Sequence, residues 1–166
     1  QTGQSNVAVG ENSLYYNTGN FNTAVGRTSL LSNTTASNNT AIGYQAGYSN
    51  TTGTDQVAVG FQSLRSTTSG IDNVAVGSST LYSNTTGTKN NALGQATLYA
   101  NTTGGSNTGL GHQSLRNNTT PSNNTAVGYQ AGYSNTTGPN LTALGRWALY
   151  NNTTGADNTA VGLNAL

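Results

Sequence analysis

The chain has 166 residues, of which 33% are hydrophobic and 5% charged, and its formal net charge is +1. It lacks both the high net charge that is typical of disordered proteins and the apolar content that a large core requires. Without cysteine it cannot form disulfides or thiolate metal sites, and without a basic block it shows no nucleic-acid footprint. No apolar run approaches the ~20 residues that span a bilayer, so membrane insertion is not expected.

One short unit is repeated ten times along the chain, and each copy is marked by a glycine that follows Ala-Val or a close variant. The marker glycines are Gly10, Gly26, Gly43, Gly60, Gly77, Gly94, Gly111, Gly128, Gly145 and Gly162. Their spacing is 16 residues once and 17 residues eight times. This regularity predicts that residues 1–166 form a single repeat domain, which we expect to be a fragment of a longer fibre.

The elements of one unit follow in a fixed order. The residues before the glycine alternate in the period of two that is typical of a strand, as in Asn73-Val74-Ala75-Val76. A second short strand is predicted around the leucine that lies four residues after the glycine, for example at Ser63-Leu64. The unit closes with Asn-Thr-Thr-Gly or a variant, which favours a tight turn. Two strands and two turns per unit predict an all-β fold, a parallel β-solenoid of ten coils of ~17 residues.

The alternation also leads to an expectation about the two faces of the strand. The branched aliphatic residue before each glycine and the leucine after it are expected to form a thin continuous core. Alanine stands two before the glycine in nine coils and is expected on the opposite face, closely approached by another chain. The expected subunit contacts are Ala41, Ala58, Ala75, Ala92, Ala126 and Ala143. The alternative is that the alanines fill a narrow part of the coil's own interior.

The oligomeric state follows from the small size of this core. Two aliphatic side chains per coil contribute roughly 3–6 kcal/mol at about 1.5–3 kcal/mol each. Ordering the backbone of one residue costs about 1–2 kcal/mol, so the apolar contribution of a lone roll is small. We therefore expect a homotrimer, and the open strand edges of the end coils allow end-to-end stacking into a filament.

The repeat also resembles known sequences. Asn-x-Ala-Val-Gly-x-x-Ser/Ala-Leu resembles the head repeats of trimeric autotransporter adhesins, which are parallel β-rolls in homotrimers. The fuller string, Asn-Asn-Thr-Ala-Val-Gly-Tyr-Gln-Ala with Asn-Thr-Thr-Gly, is similar to repeats of phage and bacterial tail-fibre-domain proteins. The resemblance covers all ten coils. It implies a structural shaft or adhesive segment of an extracellular, cell-surface or virion fibre, without catalysis or cofactor, whose partners are its own copies and a host-surface or glycan ligand.

An aromatic column offers the best candidate for ligand binding. Five residues after the marker glycine, tyrosine occurs in six coils and arginine in two. The candidate surface ligand contacts are Tyr48, Tyr82, Tyr99, Tyr133, Tyr150, Arg65 and Arg116. Such a ladder could bind sugars by stacking and hydrogen bonding, or it could simply shield the edge of the coils. Ice binding through threonine ladders is a weaker alternative, because the two threonines of each Asn-Thr-Thr are adjacent and point opposite ways on a strand.

Three further features are predicted to be structural, and no catalytic, cofactor or metal site is expected. His112, the only histidine, is expected at the solvent surface. Asp55 and Asp72 share a column and could hold a cation together, or they form an exposed ladder that Lys89 relieves. The Asn-x-Thr sequons are expected to be turn residues, although each is also a potential glycan acceptor. They include Asn33, Asn50, Asn84, Asn101, Asn135 and Asn152.

Overall fold

The computed structural model describes residues 3–166, and in that range each repeat unit contributes one three-residue strand. The strands are β1 (Val7–Val9), β2 (Thr23–Val25), β3 (Thr40–Ile42), β4 (Val57–Val59), β5 (Val74–Val76), β6 (Asn91–Leu93), β7 (Thr108–Leu110), β8 (Thr125–Val127), β9 (Thr142–Leu144) and β10 (Thr159–Val161). They form one ten-stranded sheet in sequence order, and every pairing is parallel. The predicted all-β parallel solenoid is thus confirmed.

Each residue lies over its equivalent in the next coil. In the pair β4 and β5, for example, Ala58 is the partner of Ala75 and Val59 is the partner of Val76. At the usual spacing of ~4.8 Å between strands, ten coils make a rod roughly 48 Å long. The residues described here include no helix that is both long and apolar enough to cross a bilayer.

The predicted second strand is wrong, because the leucines after the marker glycine have a left-handed backbone. Their φ angles are 46–51° at Leu14, Leu30, Leu64, Leu81, Leu98, Leu115 and Leu149. This conformation costs an ordinary residue roughly 1–2 kcal/mol. Burial of the leucine side chain, worth about 1.5–3 kcal/mol, offsets that cost. The segment still bonds coil to coil, since the Gln62 N–H donates to the Tyr44 carbonyl at 2.9 Å and the Leu64 N–H to the Thr80 carbonyl at 3.0 Å.

The assignment of the two strand faces is also wrong. The six alanines expected at a subunit contact are only 0–2% exposed within the single chain, so they line its own interior. The aliphatic residues expected in the core point outward instead, and Val9, Leu93 and Leu110 are 56%, 51% and 44% exposed. The alternative interpretation of the alanine column, as filler of a narrow interior, is therefore correct.

The reason is the width of the coil. The leucines enter the interior from the opposite wall and leave room for little more than a methyl group beneath the strand. Gly109 marks the limit, because a Cβ atom at this position would lie only 2.5 Å from Cγ2 of Thr97. The marker glycines are constrained in the same way: Gly60 has a φ of 131°, and a Cβ there would lie 2.5 Å from the Gly77 carbonyl oxygen.

Much of the remaining interior is polar and consists of two asparagine ladders. The strand ladder lies four residues before the marker glycine, and seven of its eight asparagines accept a hydrogen bond from the backbone N–H of the residue in the same column one coil on. For example, the Asn107 N–H donates to Oδ1 of Asn90 at 3.0 Å. The turn ladder is formed by the asparagine of Asn-Thr-Thr-Gly, and Nδ2 of Asn101 donates to Oδ1 of Asn84 at 2.9 Å. All four of these asparagines are fully buried.

A shared carbonyl joins the two ladders in six of the coils. The Gly104 carbonyl accepts from Nδ2 of Asn90 at 2.8 Å and from Nδ2 of Asn101 at 3.0 Å. The Gly53 carbonyl likewise accepts from Nδ2 of Asn39 and Asn50. Buried polar groups are tolerated only when they are hydrogen-bonded, and here each coil supplies the partners of the next.

We expect Asn90→Ala to destabilise the fold far more than Asn91→Ala. Asn90 forms hydrogen bonds with Gly104, Asn73 and Asn107. Removing its side chain leaves buried donors and acceptors without partners and should lower the free energy of unfolding by about 3 kcal/mol or more. Asn91 lies next to it on the exposed side of β6, and its replacement should change stability by only about 0.5 kcal/mol. Urea denaturation of the two variants measures the difference. Equal losses would show that the ladder is not what stabilises the interior.

Candidate functional site

The candidate ligand contacts form one continuous stack on consecutive coils, which we call the aromatic ladder. Its order is Tyr48, Arg65, Tyr82, Tyr99, Arg116, Tyr133 and Tyr150. The rings of Tyr82 and Tyr99 stack at 5.1 Å between centroids and 8° between planes. Tyr133 and Tyr150 stack in the same way at 5.2 Å and 11°.

Both arginines are sandwiched between tyrosine rings. The guanidinium carbon of Arg65 lies 5.4 Å from the ring centroid of Tyr48 and 5.6 Å from that of Tyr82. Arg116 lies 5.2 Å from Tyr99 and 5.9 Å from Tyr133. These are cation–π distances, so the arginines continue the stack rather than interrupt it.

This stacking changes what the tyrosines can do. Tyr82, Tyr99 and Tyr133 each have a neighbour on both ring faces, so no face is open for a sugar ring to stack on. The phenol hydroxyls remain free, because none of them has a hydrogen-bond partner in residues 3–166. Between its two terminal tyrosines the ladder therefore offers hydrogen-bond donors and positive charge along its edge, and not ring faces. Tyr15 stays outside it, since it pairs edge-on with Tyr16 and Leu31 takes the next place in the column.

A second stack follows the residues directly after the marker glycines, and it changes the interpretation of His112. The imidazole is half-buried and stacks on the Tyr129 ring at 5.4 Å and 6°. Its Nδ1 atom is buried without a hydrogen-bond partner. The expectation of a simple solvent-exposed histidine is thus wrong. Arg146 continues this stack, with its guanidinium carbon 5.8 Å from the Tyr129 ring centroid, and it also lies 3.6 Å from the ring centroid of the adjacent Trp147.

The asparagines of the predicted sequons are structural. The side chains of Asn33, Asn50, Asn84, Asn101 and Asn135 are 0–1% exposed. Each donates its Nδ2 hydrogens within the turn ladder and to the carbonyl three residues on. Asn152 is partly exposed but makes the same bond, to Gly155. A glycan on the buried amides would require the coil to open.

The threonines that follow these asparagines differ from one another. The hydroxyl of the first threonine is hydrogen-bonded to the next coil. Oγ1 of Thr51 donates to the Thr68 carbonyl at 2.9 Å, and Oγ1 of Thr85 donates to the Thr102 carbonyl at 3.0 Å. The second, such as Thr52, is exposed and has a free hydroxyl. The turns therefore present one row of free threonine hydroxyls along the rod, and not two.

The carboxylates of Asp55 and Asp72 lie in a column whose main requirement is conformational. Every described residue five before the marker glycine has a φ of 55–62°, including Asp55, Asp72 and Lys89. Asparagine and aspartate tolerate this left-handed backbone better than most residues do, which explains their frequency there. Among residues 3–166 there is no group of three or more histidine, cysteine, aspartate or glutamate side chains that could hold a metal ion.

Of the two arginines in the aromatic ladder, Arg116 lacks a hydrogen bond that Arg65 makes. Nε of Arg65 donates to Oε1 of Gln45 at 3.0 Å. The equivalent nitrogen of Arg116 is buried without a partner, and the residue that corresponds to Gln45, twenty positions earlier, is Ala96. Sequence reasoning missed this pairing. The signal was a glutamine two residues after one marker glycine and an arginine five residues after the next, as at Gln45 and Arg65.

We expect Ala96→Gln to stabilise the protein by about 1 kcal/mol, because it supplies the acceptor that the Arg116 Nε–H lacks. The backbone suits the change: Ala96 has a φ of 53°, and the glutamines of the same column have φ values of 54–58°. Ser79→Gln is the matched control, since it adds glutamine in that column where the residue twenty positions later is Tyr99. Thermal unfolding measures both. An equal gain from Ser79→Gln, or no gain from Ala96→Gln, would contradict the pairing.

Comparison of the chain with protein-family models, curated proteins and solved structures finds no match. The relation to fibre repeats therefore stays a prediction from the repeat pattern alone. Function has to be argued from the surfaces that the solenoid presents, namely the aromatic ladder and the outward side of the sheet.

Proposed function

We propose that the chain is a structural shaft or adhesive segment of an extracellular or viral fibre, without a catalytic step. The observation that supports this most strongly is the unshifted register of all ten strands. Backbone hydrogen bonds link neighbouring coils in the strands and also in the turns, so bending the rod would break many of them together. In such a repeat the number of coils sets the length, which suits a spacer.

The outward side of the sheet supports association of several copies. We call this surface the outer sheet face; it consists of the first and third residue of each strand, none of which is charged. Val7, Val9, Ile42, Leu93 and Leu110 on this face are 41–56% exposed. Three residues by ten coils make a strip of roughly 10 Å by 48 Å, or about 400 Å² or more. The largest apolar patch of a soluble monomer is about 300–600 Å² and is often functional, so this uncharged, largely aliphatic strip is a candidate contact surface.

A second copy of the chain is the partner that fits this strip best. The aliphatic side chains recur once per coil, and only a surface with the same axial repeat can meet them along the whole rod. Three copies around a common axis would let each strip contact its two neighbours, and the number three rests on the resemblance to trimeric fibre repeats. This proposal keeps the expected homotrimer but places its contacts on the outer sheet face instead of the alanines.

We expect the protein in solution to have three times its chain mass of 16.9 kDa and to appear in electron micrographs as a rod whose ten-coil segment is roughly 48 Å long. The double variant Leu93→Lys and Leu110→Lys should be a folded monomer, because both side chains point away from the interior and lysine would place charge in the contact. Light scattering and circular dichroism check mass and fold.

Thr86→Lys with Thr103→Lys is the matched control, since both threonines are exposed in the turns, away from the outer sheet face. It should leave the trimer intact. A monomeric wild type would refute the association. A trimer that persists in the Leu93→Lys, Leu110→Lys variant would place the contact on another face.

A further inference from the structure

We propose that the aromatic ladder binds an extended acidic polysaccharide that lies parallel to the rod axis. The first reason is uncompensated charge. Arg65 and Arg116 contact tyrosine rings and amide oxygens but no carboxylate. In residues 3–166 the one ion pair, between Arg27 and Glu11 at 3.0 Å, lies outside the ladder. A ligand with carboxylate or sulfate groups would supply what the two guanidiniums lack.

The second reason is the pattern of free donors along the ladder. Five tyrosine hydroxyls and two guanidiniums follow one another at the coil spacing, over a length of ~29 Å. Beside them runs a row of half-buried serines whose hydroxyls have no hydrogen-bond partner in the described chain, at Ser49, Ser66, Ser83 and Ser134. A chain of sugars repeats its hydroxyls at a length close to one coil, so a linear polysaccharide can bond in register with both rows.

The third reason is the spacing of the charges, which favours a sparse polyanion over a nucleic acid. Arg65 and Arg116 are three coils, or ~14 Å, apart. Double-stranded DNA carries about one charge per 1.7 Å and needs a dense array of cations, which the ladder does not have. Because both ring faces of Tyr82, Tyr99 and Tyr133 are covered, a neutral sugar could use only the hydroxyls along this central part and would bind more weakly.

This inference goes beyond the proposed fibre function and does not depend on how the copies associate. The ladder lies in the segment after the marker glycine, whereas the outer sheet face lies in the strand before it. Its test can therefore be carried out on the wild type and on the lysine variants of the outer sheet face alike. Loss of ligand binding alone and loss of association alone are separate results.

The experiment is affinity electrophoresis of the full chain through gels that contain hyaluronate, which carries one carboxylate per two sugars, neutral dextran or double-stranded DNA. We expect retardation by hyaluronate only, and its loss at about 1 M salt, where the Debye length is about 3 Å. Arg65→Gln with Arg116→Gln should weaken binding about tenfold per guanidinium. Arg65→Lys with Arg116→Lys keeps the charge and should restore part of it. Tyr82→Phe with Tyr99→Phe keeps the stack and should cause a smaller loss.

The matched control is Arg27→Gln with Arg146→Gln, which removes the same charge outside the ladder and should leave retardation unchanged. Circular dichroism confirms that each variant is folded. Equal loss of binding in the control would show that only net charge matters. Equal retardation by dextran or DNA, or none by hyaluronate, would overturn the proposal.

Discussion

The structure depends on one constraint: in a coil this narrow, inward polar groups must be satisfied by the same groups of the next coil. The two asparagine ladders meet it, because their buried amides bond from coil to coil and, in six coils, also to a shared carbonyl such as that of Gly104. This works only when every coil stacks on the next without a shift. Gln56 shows the effect of a substitution, since it enters the strand ladder but leaves its Oε1 atom without a partner.

The same constraint separates positions that cannot vary from positions that can. Inward columns are filled by asparagine, alanine, leucine and small residues, and the marker glycines approach the next coil too closely for a side chain. Outward columns are free of this requirement, and the chain places arginine, tyrosine, tryptophan and aliphatic residues there. The regular stacking of the coils also makes these outer surfaces periodic. Arg65, for example, lies one coil from Tyr48 and one coil from Tyr82 and contacts both rings. A rigid rod with periodic outer surfaces is what the fibre proposal and the polysaccharide proposal share.

The sequence alone was sufficient to predict the number of coils, the parallel stacking, the turns and the column of tyrosines and arginines, since all of these follow from a period of 17. It was insufficient for the direction of the strand faces: Val74-Ala75-Val76 shows that two faces exist but not which is inside. The usual preference for burying the larger residue fails here because Leu81, entering from the opposite wall, already fills the interior. For its side chain to enter the interior, Leu81 adopts a left-handed backbone with a φ of 51°, which no residue propensity predicts. The same backbone conformation is the reason why the expected second strand does not form. The burial of His112 against Tyr129 depends on side-chain stacking between coils and was equally invisible.

The claim that polar ladders form the interior can be tested most directly by hydrogen exchange of asparagine side-chain amides, measured by NMR with residue-specific assignment. The Nδ2 hydrogens of Asn84, Asn90 and Asn101 should exchange only when the coils open, so that their rates follow the global stability. The amides of Asn12 and Asn151, which are exposed and make no side-chain hydrogen bond, should exchange within a small factor of a free asparagine. Rapid exchange at Asn84, Asn90 and Asn101 in the folded protein would show that the polar ladders do not form the interior.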